Sequence, residues 1–282
     1  MWANYHTHSK YCDGKGELND YIQSAKKHGV TSLGFSSHAP VPFDCSWSMD
    51  KDSFAAYLQE IETLRCSNPA MEIYKGLEID FIPGVVAPYE FKQDLDFTIG
   101  SIHFVDELPD GRRWEIDNSH AVFTEGLEKI FKNNFKDAVV RYFELTREMI
   151  FGSTIDILGH LDKIKIQNKD GKFFSEDDPW YRDEIMSILN LLDDTNLIVE
   201  VNTRGIYQKK SVTTYPSPWI LEELFKRKLS VTISSDAHHP DDLVSHFPEA
   251  AKMLNKIGYK TISVMREGMW KKVPFTEDGI VQ

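Results

Sequence analysis

Seven short apolar runs, each followed at once by polar residues, constrain the fold of this chain more than any other feature. They cover residues 3–8, 32–36, 72–79, 97–102, 155–158, 197–201 and 230–233. Stretches with helical spacing lie between them. Leu18, Tyr21, Ile22 and Ala25 run up to a stop at Gly29, and Phe54, Leu58 and Ile61 share one face of a helix over 51–66. Ile185, Ile188, Leu189 and Leu192 mark a later helix, and residues 219–228 another. Strands that alternate with helices run parallel and are joined by crossovers. A near-continuous apolar run such as 197–201 suits a strand buried on both faces. In a closed parallel barrel, functional residues gather at the carboxyl ends of the strands.

Those ends carry the chemistry. His6 and His8 are two apart at the end of the first run, so an extended backbone sends both side chains to one face. Asp13 sits in the turn that follows. His38, Glu78, His103, His160, Arg204, Asp236 and His238 end later runs or lie just before their ends. Six of the ten histidines fall at such points, whereas His28, His120, His239 and His246 do not. Six imidazoles and the carboxylates of Asp13, Glu78 and Asp236 cannot share one barrel mouth without cations. A nitrogen-and-carboxylate set with no thiolate suits Zn, Mn or Fe(II). The ligands outnumber what one ion needs, so two or three divalent ions are expected, with a carboxylate as bridge.

Composition narrows the class. A length of 282 residues and 41% hydrophobic content fit one domain over 1–282. A longer insertion, about 104–154, begins with a polar turn at Pro109 and Gly111. It then reads as helical through Leu127, Ile130 and Phe131 and through Val139, Val140 and Phe143. The net charge of −12 argues against a nucleic-acid partner, which requires an electropositive face. No apolar run reaches the roughly 18 residues of a membrane span, and Met1-Trp2-Ala3-Asn4 opens no signal peptide. Three cysteines, Cys12, Cys45 and Cys66, form no CxxC pair, which fits a reducing cytosol. Nothing in the chain specifies an oligomeric state.

The ordered set of the His6-x-His8 start, lone His38, Gly76-Leu77-Glu78, His103, Gly159-His160 and the Asp236-x-His238 ending resembles the polymerase-and-histidinol-phosphatase superfamily. Within it the chain is similar to the stand-alone histidinol-phosphate phosphatases of histidine biosynthesis, over nearly its whole length. The resemblance implies a distorted seven-stranded (β/α)7 barrel with a trinuclear metal site at the carboxyl mouth of the strands. One ion would take His6, His8, Glu78 and Asp236. A second would share Glu78 and take His103 and His160, and a third would take His38, His238 and Asp13. With a bridging hydroxide such a site keeps a residual charge of roughly +2, which matches a phosphomonoester dianion, and the hydroxide could attack phosphorus in line.

The expected activity is hydrolysis of L-histidinol phosphate to L-histidinol and phosphate. The alternatives are another phosphoester, phosphotyrosine or a small nucleotide, or a non-catalytic metal-binding regulatory barrel. Asp236, His238 and Arg204 are the expected catalytic residues. Arg204, whose guanidinium can bind phosphate bidentately, is also expected to contact substrate, with Lys163 and Lys165 adding charge. Glu115 and Asp117, in the insertion, are expected to meet a substrate amine. Asp162 and Asp106 are candidates for protonating the leaving alcohol.

Overall fold

Each of the seven apolar runs forms a strand in the computed structural model, which describes residues 1–152 and 154–281. The first half of the chain gives β1 (Trp2–Asn4), α1 (Leu18–His28), β2 (Val30–Phe35), α2 (Phe54–Ser67), β3 (Glu72–Asp80) and β4 (Phe97–Ser101). The insertion then supplies β5 (Phe104–Glu107), β6 (Arg113–Glu115), α3 (His120–Lys129) and α4 (Phe135–Gly152). The barrel resumes with β7 (Ile157–Leu158), α5 (Pro179–Leu192), β8 (Ile198–Asn202), the one-turn α6 (Arg204–Tyr207), α7 (Pro218–Lys226) and β9 (Ser230–Ser234). The chain ends with α8 (Phe247–Ile257), β10 (Thr261–Arg266), β11 (Met269–Thr276) and β12 (Gly279–Ile280).

The main sheet is parallel throughout, in the order β1-β2-β3-β4-β7-β8-β9. Its two edges meet just beyond the strands, where the His8 N–H donates to the Ala237 carbonyl (2.8 Å) and the Ala237 N–H to the His6 carbonyl (3.2 Å). The barrel therefore closes at its carboxyl mouth, through the segments that carry His6, His8, Asp236 and His238. Helix ends follow local chemistry. Glu17 and Asp20 make a capping box before α1, and Gly29 ends it in a left-handed conformation (φ 67°).

The sequence expectations hold for every strand and for the helices of the alternating pattern, with differences at the ends. β1 stops at Asn4, whose side chain accepts the His6 N–H (3.1 Å), so the extended segment to His8 runs on outside the ladder. The insertion opens with an antiparallel hairpin, β5–β6, where only a polar turn was read. Its strands are too short for periodicity to register, and Trp114 pins it by packing fully buried on Phe123 of α3 (5.3 Å between rings).

The segment after His238, unread in the sequence, adds α8 and an antiparallel sheet, β10-β11-β12. This sheet plugs the amino-terminal end of the barrel. The Met265 N–H donates to the Tyr5 hydroxyl (2.7 Å), and Trp270 packs edge-on to Tyr5 (4.9 Å) and Phe97 (6.3 Å). With that end filled by side chains, the carboxyl mouth is the end left to host chemistry. Among the described residues no helix is long and apolar enough to cross a membrane.

Candidate metal centre

Strand geometry sets the centre of the mouth. Glu78 and Asp80 are two apart on β3 and share a face, as do Glu200 and Asn202 on β8, and all four are buried. The Glu78 carboxylate is the hub. Its Oε2 lies 3.1 Å from His6 Nε2, 3.4 Å from His8 Nε2 and 3.1 Å from His38 Nδ1. Its Oε1 lies 2.8 Å from His160 Nε2 and 3.7 Å from His103 Nε2, and accepts a hydrogen bond from Ser101 (2.7 Å). Asp236 Oδ1 stands 3.1 Å from His8 Nε2 and 3.7 Å from His6 Nε2, and Asp13 Oδ1 3.2 Å from His238 Nε2. All nine expected metal residues are thus brought into one cluster.

Whether these side chains suit cations can be read from their unused atoms. His6 Nε2, His8 Nε2, His38 Nδ1, His160 Nδ1 and Asp13 Oδ1 are buried polar atoms without a hydrogen-bond partner. Buried polar groups are normally satisfied, and imidazole nitrogens and carboxylates that face one another across a few ångströms form a donor set for divalent metal. Four overlapping groups place their ligand atoms within 4.8 Å of one another among the described residues. They are His6, His8 and Asp236; Glu78, His103 and His160; His8, Asp13, His38 and His238; and His38, Asp80 and His103. The first three resemble the expected partition with two differences: Glu78 falls only in the second group, and His8 also joins the Asp13 group.

Several histidines have their second nitrogen anchored from behind, which fixes ring orientation. His6 Nδ1 is 2.5 Å from Glu200 Oε1, His103 Nδ1 3.0 Å from Asp80 Oδ1, and His8 Nδ1 3.5 Å from Cys12 Sγ. Sequence reasoning missed Glu200 and gave Asp80 no role. The available signal was a carboxylate inside the apolar run 197–201, since a charge in a strand buried on both faces must be paired.

Burial and charge set the protonation pattern. Burial pushes the His8 imidazole down to about 3 and holds those of His38 and His160 below the usual range, so all three stay neutral, as a ligand must. For His6 burial acts the same way, but the Glu200, Asp236 and Glu78 carboxylates outweigh it and raise the group. Burial opposes ionisation of Glu78 and Asp236 too, and neighbouring histidines, with Arg204 beside Asp236, bring both carboxyls far below their usual values.

A cavity of about 240 Å³ opens onto this cluster. Arg204, Lys163, Glu115 and Asp117 line it, as do Trp47 and Lys210, which the sequence reading did not single out. Arg204 Nη1 donates to the Asp236 carbonyl (2.7 Å) and sits 2.6 Å from His238 Nδ1. Lys163 Nζ lies between Asp117 Oδ2 (2.9 Å) and His103 Nε2 (3.0 Å). Glu115 accepts from Trp47 (3.3 Å) and Asn118 (2.9 Å), and burial raises its carboxyl.

Lys165 does not line the cavity. Its ammonium is buried against Asp162 Oδ2 (2.7 Å), Ser217 and the Thr214 carbonyl (3.4 Å), so the expectation that it adds charge for substrate is corrected. The same pairing takes Asp162 out of the mouth, and Asp106 is exposed on β5; neither lines the cavity. His120 is exposed and His246 half-buried, and both lie outside the cluster.

A seven-stranded parallel barrel with a histidine-and-carboxylate cluster at its carboxyl mouth defines a class of metal-binding α/β barrel. The chain belongs to the PHP domain family, whose model matches residues 4–204. It is 28% identical over 272 residues to a Deinococcus radiodurans protein named "probable histidinol-phosphatase", covering 94% of this chain and 96% of that one. A Listeria monocytogenes structure shares the fold with a TM-score of 0.75 at 19% identity, covering 88% of this chain and 99% of that one. A second solved structure, a histidinol phosphate phosphatase from Lactococcus lactis in complex with zinc, L-histidinol and phosphate, gives a TM-score of 0.66 at 19% identity. That match covers 100% of this chain and 99% of that one.

Proposed function

We propose that this protein is a metal-dependent phosphomonoesterase that hydrolyses L-histidinol phosphate to L-histidinol and inorganic phosphate. The observation that carries the reading is one cavity onto which open the Glu78 hub with its unpaired imidazole nitrogens, the cations Arg204 and Lys163, and the carboxylates Glu115 and Asp117. Lys163 and Asp117 pair with each other (2.9 Å), and Arg204 and Glu115 supply the cation and the carboxylate for a substrate that carries a phosphate and an ammonium. The names of the Deinococcus and Lactococcus relatives support the same substrate.

His6, His8, Asp13, His38, Glu78, His103, His160, Asp236 and His238 would hold two to three divalent ions, with zinc, manganese and iron(II) all suited to such donors. When bound, the ions lower the pKa of water and neutralise charge on phosphoryl oxygens. Arg204 offers a planar fork to the phosphate and Lys163 a point charge beside it. Glu115 and Asp117 accept hydrogen bonds from the substrate ammonium. In the reaction the water oxygen forms a bond to phosphorus as the bond to the alcohol oxygen breaks, and a proton ends on the alcohol. Residues 1–282 act as one domain, a reading supported by the single continuous core. The three free thiols support a cytosolic location.

The test is turnover of L-histidinol phosphate beside phosphotyrosine and nucleoside monophosphates at equal concentration. The expected result is a kcat/KM for histidinol phosphate at least about tenfold above the others, the discrimination one well-paired polar contact supplies. Preference for phosphotyrosine or a nucleotide would move the assignment to that ester. No turnover of any of them by metal-loaded protein would leave a binding barrel.

A further inference from the structure

We propose that Glu200 is a positioning residue for the metal centre: its carboxylate fixes His6 as the tautomer with hydrogen on Nδ1 and so leaves Nε2 free for a cation. The proposal rests on the metal-centre reading above and adds a residue to it. Glu200 is 1% exposed, in the middle of β8 inside the barrel. Its Oε1 is 2.5 Å from His6 Nδ1 and accepts from the Ser234 hydroxyl. Its Oε2 accepts from the His160 backbone N–H (2.6 Å) and from Asn202 Nδ2 (3.1 Å).

An ionised carboxylate only accepts, so every one of these four partners must donate. For His6 that places a hydrogen on Nδ1, so that Nε2, 3.1 Å from Glu78 Oε2 and 3.7 Å from Asp236 Oδ1, is the nitrogen whose lone pair would meet a cation in the cluster. The same carboxylate holds the chain at His160. Through Asn202 it also reaches Asp236, whose Oδ2 accepts from Asn202 Nδ2 (3.2 Å), and Arg204, whose backbone N–H donates to Asn202 Oδ1 (2.8 Å). One buried group therefore ties together side-chain and backbone groups on four segments around the mouth.

Glu200→Gln keeps the shape and replaces one oxygen by an NH2 group. Facing His6, the amide would force the hydrogen onto Nε2 and block it as a ligand. Facing the other way, it would meet the His160 N–H and Asn202 as a third donor. Glu200→Asp keeps the acceptor chemistry with a shorter reach.

The experiment is zinc binding to metal-stripped wild type, E200Q and E200D by chelator competition. Circular dichroism checks the fold, and a long-range proton–nitrogen correlation spectrum of zinc-loaded wild type gives the His6 tautomer, with His6→Gln for assignment. The expected result is zinc affinity about 10- to 100-fold weaker in folded E200Q, an intermediate value for E200D, and hydrogen on Nδ1 of His6. A wild type that binds zinc beside a folded E200Q that binds it within twofold overturns the proposal alone, as does hydrogen on Nε2. If E200Q does not fold, the wild-type tautomer decides. A wild type that binds no zinc overturns the metal-centre reading and this proposal with it.

Discussion

Glu78 shows how much a single position can organise: five imidazoles stand within 3.7 Å of its two oxygens. Removing one of those rings should cost more than an altered partner behind it. His8→Ala is expected to lower kcat/KM by more than the roughly 100-fold typical of outer contacts and to lower bound metal. His120→Ala, an exposed position at the start of α3, should match wild type. Equal losses in steady-state assays would show that strand-end placement does not select the site.

Arg204→Ala is expected to lower kcat/KM by about 100-fold, or roughly 2.7 kcal/mol. Lysine should restore part of this, because the charge returns without the fork. Arg204 also touches His238 and the Asp236 carbonyl, so kinetics and metal content should be measured together. Near-normal kinetics for R204A would shift the phosphate contact to Lys163. The histidines were legible because each ends an apolar run. Glu200 was not, because a strand pattern records which positions are buried and not what pairs a charge there.

Among the elements, the parallel strands were readable because continuous Val/Ile/Leu runs between helical stretches have few alternative folds. The hairpin β5–β6 and the sheet β10-β11-β12 were not. The first is too short for periodicity, and the alternation of β11, solvated on one side, carries no sign of which end of the barrel it covers. That end is packed tightly where Phe97 crosses glycines. A Cβ on Gly76 would lie 2.3 Å from Phe97 Cζ, so Gly76→Ala should destabilise the fold by about 1–3 kcal/mol. Chemical denaturation reads this, and an unchanged midpoint would mean that the amino-terminal plug is looser than its contacts imply. Gly76 lies two residues before Glu78 on β3, so bound metal should be counted beside the activity of the folded fraction.

For the whole molecule, a chain of net charge −12 gathers its buried histidines and, Asp162 aside, its buried carboxylates at one place, and divalent cations are what make that arrangement compatible with an anionic substrate. The sequence conveyed this convergence through order alone, strand end after strand end. It could not convey which side chains line the cavity, so Lys165 was expected there and Lys210 was not. The most direct measurement is phosphate release from L-histidinol phosphate while metal-stripped protein is titrated with zinc and bound metal is counted. The account predicts no turnover in the stripped protein and a rise that completes only when two to three ions are bound per chain. Full turnover with no metal, or with a single ion, would contradict it.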